Sequence, residues 1–152
     1  MKITSRLNID NFVGCKVMAI AGASRDPKSF SAQVVDHLSQ QGYELWLINP
    51  RFDVTDLAAR RVQNIRSLPT GLNHMLVLTP ASQTEEVVRN AYEQGIRNVW
   101  IQQQSETPAA LDFAYENNMN VVWNHCIFMF TRPTGIHRFH YRIKKFFRGI
   151  PL

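Results

Sequence analysis

Residues 17–30 read VMAIAGASRDPKSF. An apolar run enters one glycine, as a buried strand enters a phosphate-binding turn. The dinucleotide fingerprint G-x-G-x-x-G, however, would need glycines at positions 24 and 27, where Ser24 and Pro27 stand. The same kind of run recurs along the chain: KVMAIA (16–21), ELWLIN (44–49), HMLVLT (74–79), NVWI (98–101) and NVVW (120–123). Runs this short, rich in β-branched residues and apolar on both faces, predict buried parallel strands. Between them Val34, Val35 and Leu38, then Val87, Val88, Ala91 and Tyr92, then Ala110, Leu111, Ala114 and Tyr115 follow helical spacing.

The punctuation agrees with this alternation. Gly42 and Gly95 fall where helices should end, and Thr107–Pro108 is a cap followed by proline at the first helical position. The prediction is an α/β fold: a doubly wound parallel sheet of about five strands with right-handed crossovers. A further helix is expected at about 4–12. The stretch 51–73 is too long for a simple crossover loop and leaves open a short helix, an edge strand or both.

Length and composition bound the rest. A chain of 152 residues, 45% hydrophobic and 19% charged, fits one globular body with a packed core. The N-terminus has no apolar signal region and no run approaches membrane-helix length, which predicts a protein that stays in the cytoplasm. Two cysteines form neither a disulfide framework nor a metal signature, and His125, Cys126, His137 and His140 match no recognised ligand spacing. Residues 131–152 carry six Arg and Lys and no acid, so the net charge of +5 leaves residues 1–130 at −1. In this tail Ile136, Phe139, Ile143, Phe146, Phe147 and Ile150 recur at helical intervals, which predicts a basic amphipathic helical extension behind a 1–130 domain.

In doubly wound sheets ligands sit beyond the carboxyl ends of the strands. After the first strand come Gly22, Ala23, Ser24 and Arg25, then Lys28, before a helix whose N-terminus favours anions. That is chemically suited to a pyrophosphate; a lone glycine also serves a strand-to-helix turn for backbone reasons alone. After the second come Asn49, Pro50 and Arg51. An acid here would accept from the ribose hydroxyls of NAD, whereas an arginine suits a phosphorylated ribose, as in NADP or coenzyme A. Arg51 fits a solvated surface residue equally well. Thr79 and Pro80 follow the third strand, Gln102 to Ser105 the fourth, and Cys126 the fifth. A nucleophilic Cys126 would need a base in reach, and adjacent His125 points to the other face of a continuing strand, so a buried thiol is the better reading.

Taken together, AGASRDPKSFSAQVVDHLSQQGYELWLINPR (21–51), LVLTPASQTEEVVRNAYEQGIRNVWIQ (76–102) and NVVWNHCIFM (120–129) resemble the small bacterial CoA-binding proteins of the YccU-like group. Their Rossmann-like domain is similar to the CoA-binding domain of the succinyl-CoA synthetase α subunit. The resemblance spans about Cys15 to Met129. It implies Gly22, Ala23 and Ser24 at a pyrophosphate turn with Lys28 beyond it, Asn49, Pro50 and Arg51 toward the adenosine phosphate, and Thr79 and Pro80 beside the adenine. Trp100 and Gln102 match the family's W-x-Q strand and Cys126 its cysteine after the last strand. The chain departs at Gln104, where the family has glycine, at Asn124 and His125, where it has an acid and a base, and at Asn73 and His74, where an acid opens the third strand.

The expected function is that of a non-catalytic module binding coenzyme A or an acyl-CoA at the carboxyl edge of the sheet. A second expectation is an NADP-dependent reductase or a thiol enzyme using Cys126. A third gives the function to the basic tail, as a contact for nucleic acid or an anionic membrane. The simpler account of the tail docks its apolar stripe on the body or on a second copy in a homodimer, with its bases facing water.

Overall fold

The computed structural model describes residues 3–54 and 60–131. Four helices and six strands alternate in it: α1 (Arg6–Gly14), β1 (Val17–Ala21), α2 (Phe30–Gln40), β2 (Glu44–Ile48), β3 (Arg61–Val62), β4 (His74–Val77), α3 (Ala81–Glu93), β5 (Asn98–Gln102), α4 (Pro108–Glu116) and β6 (Asn120–His125). The strands form one sheet, entirely parallel, in the order β3-β2-β1-β4-β5-β6. The chain starts in the middle and winds outward in both directions, so the order reverses between β1 and β4. The predicted basic helix and the residues after Thr131 lie outside the described residues.

Alternation along each strand divides the core into two layers. Ala19, Ala21, Met75, Val77, Val99 and Ile101 face α3 and α4. Met18, Ile20, Leu76, Trp100 and Val122 face α1 and α2. Both faces of the central strands are therefore sealed, which is why β1, β4 and β5 read as unbroken apolar runs. Three of the four helices start at a side-chain cap: Ser5, Ser29 and Thr107 each accept a backbone N–H of the first turn, whereas α3 follows Pro80 without one. The first helix begins two residues later than predicted, because Ser5 is its cap. Thr4 precedes it and uses its hydroxyl to bridge the N–H and C=O of Trp123 on the edge strand β6.

Within 51–73, where the sequence leaves open a short helix, an edge strand or both, the structure has a short edge strand and a 3₁₀ turn, which brings the sheet from about five strands to six. β3 is two residues long and pairs Leu47 with Arg61 and Ile48 with Val62. A 3₁₀ turn at Ile65–Ser67 follows it. So short a strand has no periodic signature, and the pairing with β2 rather than any local pattern creates it. Among the described residues no helix is long and apolar enough to cross a membrane.

Candidate functional site

The site follows from one close approach. Gly22 leaves β1 at φ +84°, and a Cβ built on it would stand 2.9 Å from the Leu78 carbonyl carbon and the Thr79 nitrogen. The exits of β1 and β4 thus nearly touch at the point where the strand order reverses, and ligands of doubly wound folds bind at this point. Two clefts open on either side of that contact, each of about 410 Å³ and each lined by Gly22 and Thr79. One runs toward the β2 exit past Asn49, Pro50 and Asn64, with Gln83 and Val87 of α3 opposite. The other runs toward the β5 exit past Phe30, Leu78, Pro80 and Gln102 to Ser105. A third cleft, of about 490 Å³, adjoins the first at Ser24 and is lined by Arg25, Arg51, Arg61 and Phe52.

The loop between β1 and α2 is held by its own side chains. Ser31 Oγ accepts the Ser24 N–H at 2.8 Å, Ser24 Oγ accepts the Asp26 N–H at 3.0 Å, and Asp26 Oδ1 accepts the Lys28 N–H at 2.9 Å. Part of the backbone expected to cradle a phosphate is therefore already engaged. The Ser24 hydroxyl accepts in this network and keeps its own proton to donate to a ligand. Behind the loop, α2 points its N-terminus at the groove, where the helix dipole favours negative charge.

Asn49 is a latch between two strand exits. Its Nδ2 donates to Ala23 O at 2.7 Å and its Oδ1 accepts the Arg51 N–H at 2.8 Å. The carboxamide fixes the loops on which Ser24 and Arg51 stand. Thr79 is likewise committed: the Thr84 hydroxyl donates to Pro80 O at 3.3 Å, which leaves Thr79 to donate to Thr84 Oγ1 at 3.2 Å.

The structure thus gathers Gly22, Ser24, Asn49, Pro50, Thr79, Pro80 and Gln102 along one groove, with Ala23, Arg25 and Arg51 around the adjoining cleft. Lys28 and Cys126 line none of these clefts. Phe30, Gln63, Asn64 and Arg61 also line these clefts and were not candidates from the sequence: Phe30 reads as an apolar helix start, Gln63 and Asn64 carry no motif, and Arg61 acquires a place only through β3. At position 104, where the resembling family has glycine, Gln104 adopts φ +74°, a left-handed conformation that glycine enters without strain.

Cys126 begins a 3₁₀ turn at the end of β6 and is buried in the core layer that contains Trp100. Burial pushes its thiol pKa up, and contacts with the Gln102 side chain and the Phe128 backbone oppose this in part. Gln102 itself is 3% exposed, and its Oε1 accepts the Ile127 N–H at 3.1 Å. A protonated, buried thiol is a poor nucleophile. With a thiol reagent at neutral pH, native protein should label quickly at Cys15, which is partly exposed, and more than about tenfold slower at Cys126. Equal rates at the two thiols, read by mass spectrometry, would contradict this placement. Among the described residues no three of His, Cys, Asp and Glu are grouped to hold a metal ion.

A family model described as CoA binding domain matches residues 16–132. No curated protein matches the chain. Among solved structures, a hypothetical protein from Pyrococcus horikoshii OT3 is similar at a TM-score of 0.73 and 23% identity, over 85% of this chain and 95% of its own. A conserved hypothetical protein from Pyrococcus furiosus gives 0.70 and 21%, over 76% and 98%. A protein of Thermus thermophilus gives 0.70 and 24%, over 82% and 91%. These structures share the fold. The family match covers the sheet, the Gly22 turn and every strand exit that lines the groove, and by it the chain belongs to the CoA binding domain family.

Proposed function

We infer that this protein binds coenzyme A or an acyl-CoA and does so without catalysing a reaction on it. The observation that carries this reading is the pair of clefts that share Gly22 and Thr79, with an arginine-lined cleft adjoining one of them at Ser24. Coenzyme A is a long ligand with a phosphorylated nucleoside at one end, a diphosphate in the middle and an extended amide chain at the other. The diphosphate suits the bare Gly22 backbone, the Ser24 hydroxyl and the N-terminus of α2. The nucleoside suits the cleft between Asn49, Pro50 and Val87. The amide chain suits the cleft with an apolar wall at Phe30, Leu78 and Pro80 and carboxamides at Gln103 and Gln104.

A non-catalytic role is supported by what lines the groove. Among the described residues no histidine or cysteine lines either of its two clefts, and the carboxylate there is the exposed Glu86. General acid–base or nucleophilic chemistry would need a nucleophile with its base in reach. An NADP-binding protein is the alternative, since Arg51 suits either phosphorylated ribose.

Thermal unfolding distinguishes them. A ligand binding only the folded state at 100 times its Kd adds about 2.7 kcal/mol, which for a chain of this size raises Tm by roughly 5–10 °C. Coenzyme A or acetyl-CoA should produce this shift at millimolar concentration. A shift with NADPH and none with either coenzyme would overturn the reading.

A further inference from the structure

We propose that Arg61, carried by the two-residue strand β3, is a specificity-determining residue that recognises the phosphate on the ribose of the nucleotide. The inference rests on the coenzyme reading above and assigns a residue to it that no motif contains.

Adjacent arginines stand at positions 60 and 61, and the fold gives them different tasks. Val62 is buried against the α3 and α4 layer, and in register it pairs with Ile48. Strand alternation then turns Arg61, the partner of Leu47, to the opposite face, where the arginine-lined cleft lies. Arg60 is spent elsewhere: its guanidinium pairs with Glu44 at 3.4 Å. The Arg61 guanidinium stands over the Phe52 ring, 5.4 Å from its centroid, which holds it at the cleft wall.

Arg25 and Arg51 line the same cleft from the β1 and β2 exits. Among the described residues none of these three guanidiniums has a carboxylate partner. Asp36 and Asp53 also line the cleft, so that the described residues around it carry one net positive charge. A dianionic phosphate would be met by three planar donor forks, a geometry suited to phosphate oxygens. Because the cleft shares Ser24 with the groove, a phosphate here is within the span of a nucleoside seated beside Asn49 and Pro50.

The test is calorimetric titration of the full chain with coenzyme A and with dephospho-coenzyme A, which differ only in the ribose phosphate. The wild-type chain should prefer coenzyme A. Arg61→Ala should reduce that preference by about tenfold or more while changing the affinity for dephospho-coenzyme A by less than about twofold. Arg61→Gln keeps much of the stem and carries the same expectation. Arg60→Ala should leave both affinities unchanged. The inference is overturned if Arg61→Ala weakens both ligands alike, affects neither, or is matched by Arg60→Ala. If the wild-type chain binds neither compound, the coenzyme reading itself fails and this assignment falls with it.

Discussion

Replacing Gly22 by alanine should destabilise the protein by roughly 2–4 kcal/mol, a large effect for the addition of one methyl group. Two effects add. The residue sits at φ +84°, where a side chain costs about 1–2 kcal/mol. The new methyl would also meet the Leu78 carbonyl carbon and the Thr79 nitrogen at 2.9 Å and Leu78 O at 3.0 Å. These are backbone atoms of a central strand exit, so no rotamer change relieves the contact, and β1 and β4 must separate. Gly42 provides the control. It has φ +83° but nothing within 4 Å of an added Cβ, so Gly42→Ala should cost about 1 kcal/mol from the backbone effect alone. Urea unfolding of the two variants isolates the steric part; equal losses would show that the close approach is not what requires glycine at position 22. Because Gly22 lines both clefts of the groove, its variant should also lose the stabilisation conferred by coenzyme A.

Trp100→Ala should cost about 3–5 kcal/mol. Its side chain is fully buried in β5, with ring centroids 5.5 Å from Phe12 of α1 and 5.7 Å from Phe130. Removing it leaves a cavity between the sheet and α1, whose buried contacts are few: Ile9 and Phe12 are its two buried residues. Its Nε1 donates to His125 O at 3.1 Å, and the Gln103 N–H donates to the same carbonyl at 3.3 Å. These bonds hold the end of β6 where Asn124 turns through φ +58° and the register with β5 shifts. Trp100→Phe keeps most of the packing and one of the two bonds, so it should cost only about 1–2 kcal/mol. A Trp100→Ala loss no larger than that of Trp100→Phe would mean the indole packs less tightly than its burial indicates.

Both predictions concern residues that the sequence singled out, for reasons that the structure altered. Gly22 was legible as a turn glycine after an apolar run. Its requirement comes from Leu78 and Thr79, 56 and 57 positions away in the chain. Trp100 was legible as part of the W-x-Q strand, and its partners Phe12 and Phe130 come from the two ends of the described chain. Asn49 and Thr79 were expected to meet ligand, and their side chains are committed to backbone and hydroxyl partners that hold the strand exits. Cys126, read from the sequence as a buried thiol and a candidate at the fifth strand exit, lies in the core, as the first reading has it, and lines none of the clefts.

The sequence by itself determined the alternation of strands and helices, the parallel sheet, the Thr107 cap and the family, because hydrophobic periodicity and cap chemistry act over a few residues. Only the tertiary structure decided that a two-residue strand exists, that Arg61 and not Arg60 faces the arginine cleft, and that the groove passes on both sides of Gly22. Each of these depends on which distant backbone a segment pairs with. Pairing and burial are set by contacts between residues far apart in the chain, and they leave no local pattern to read.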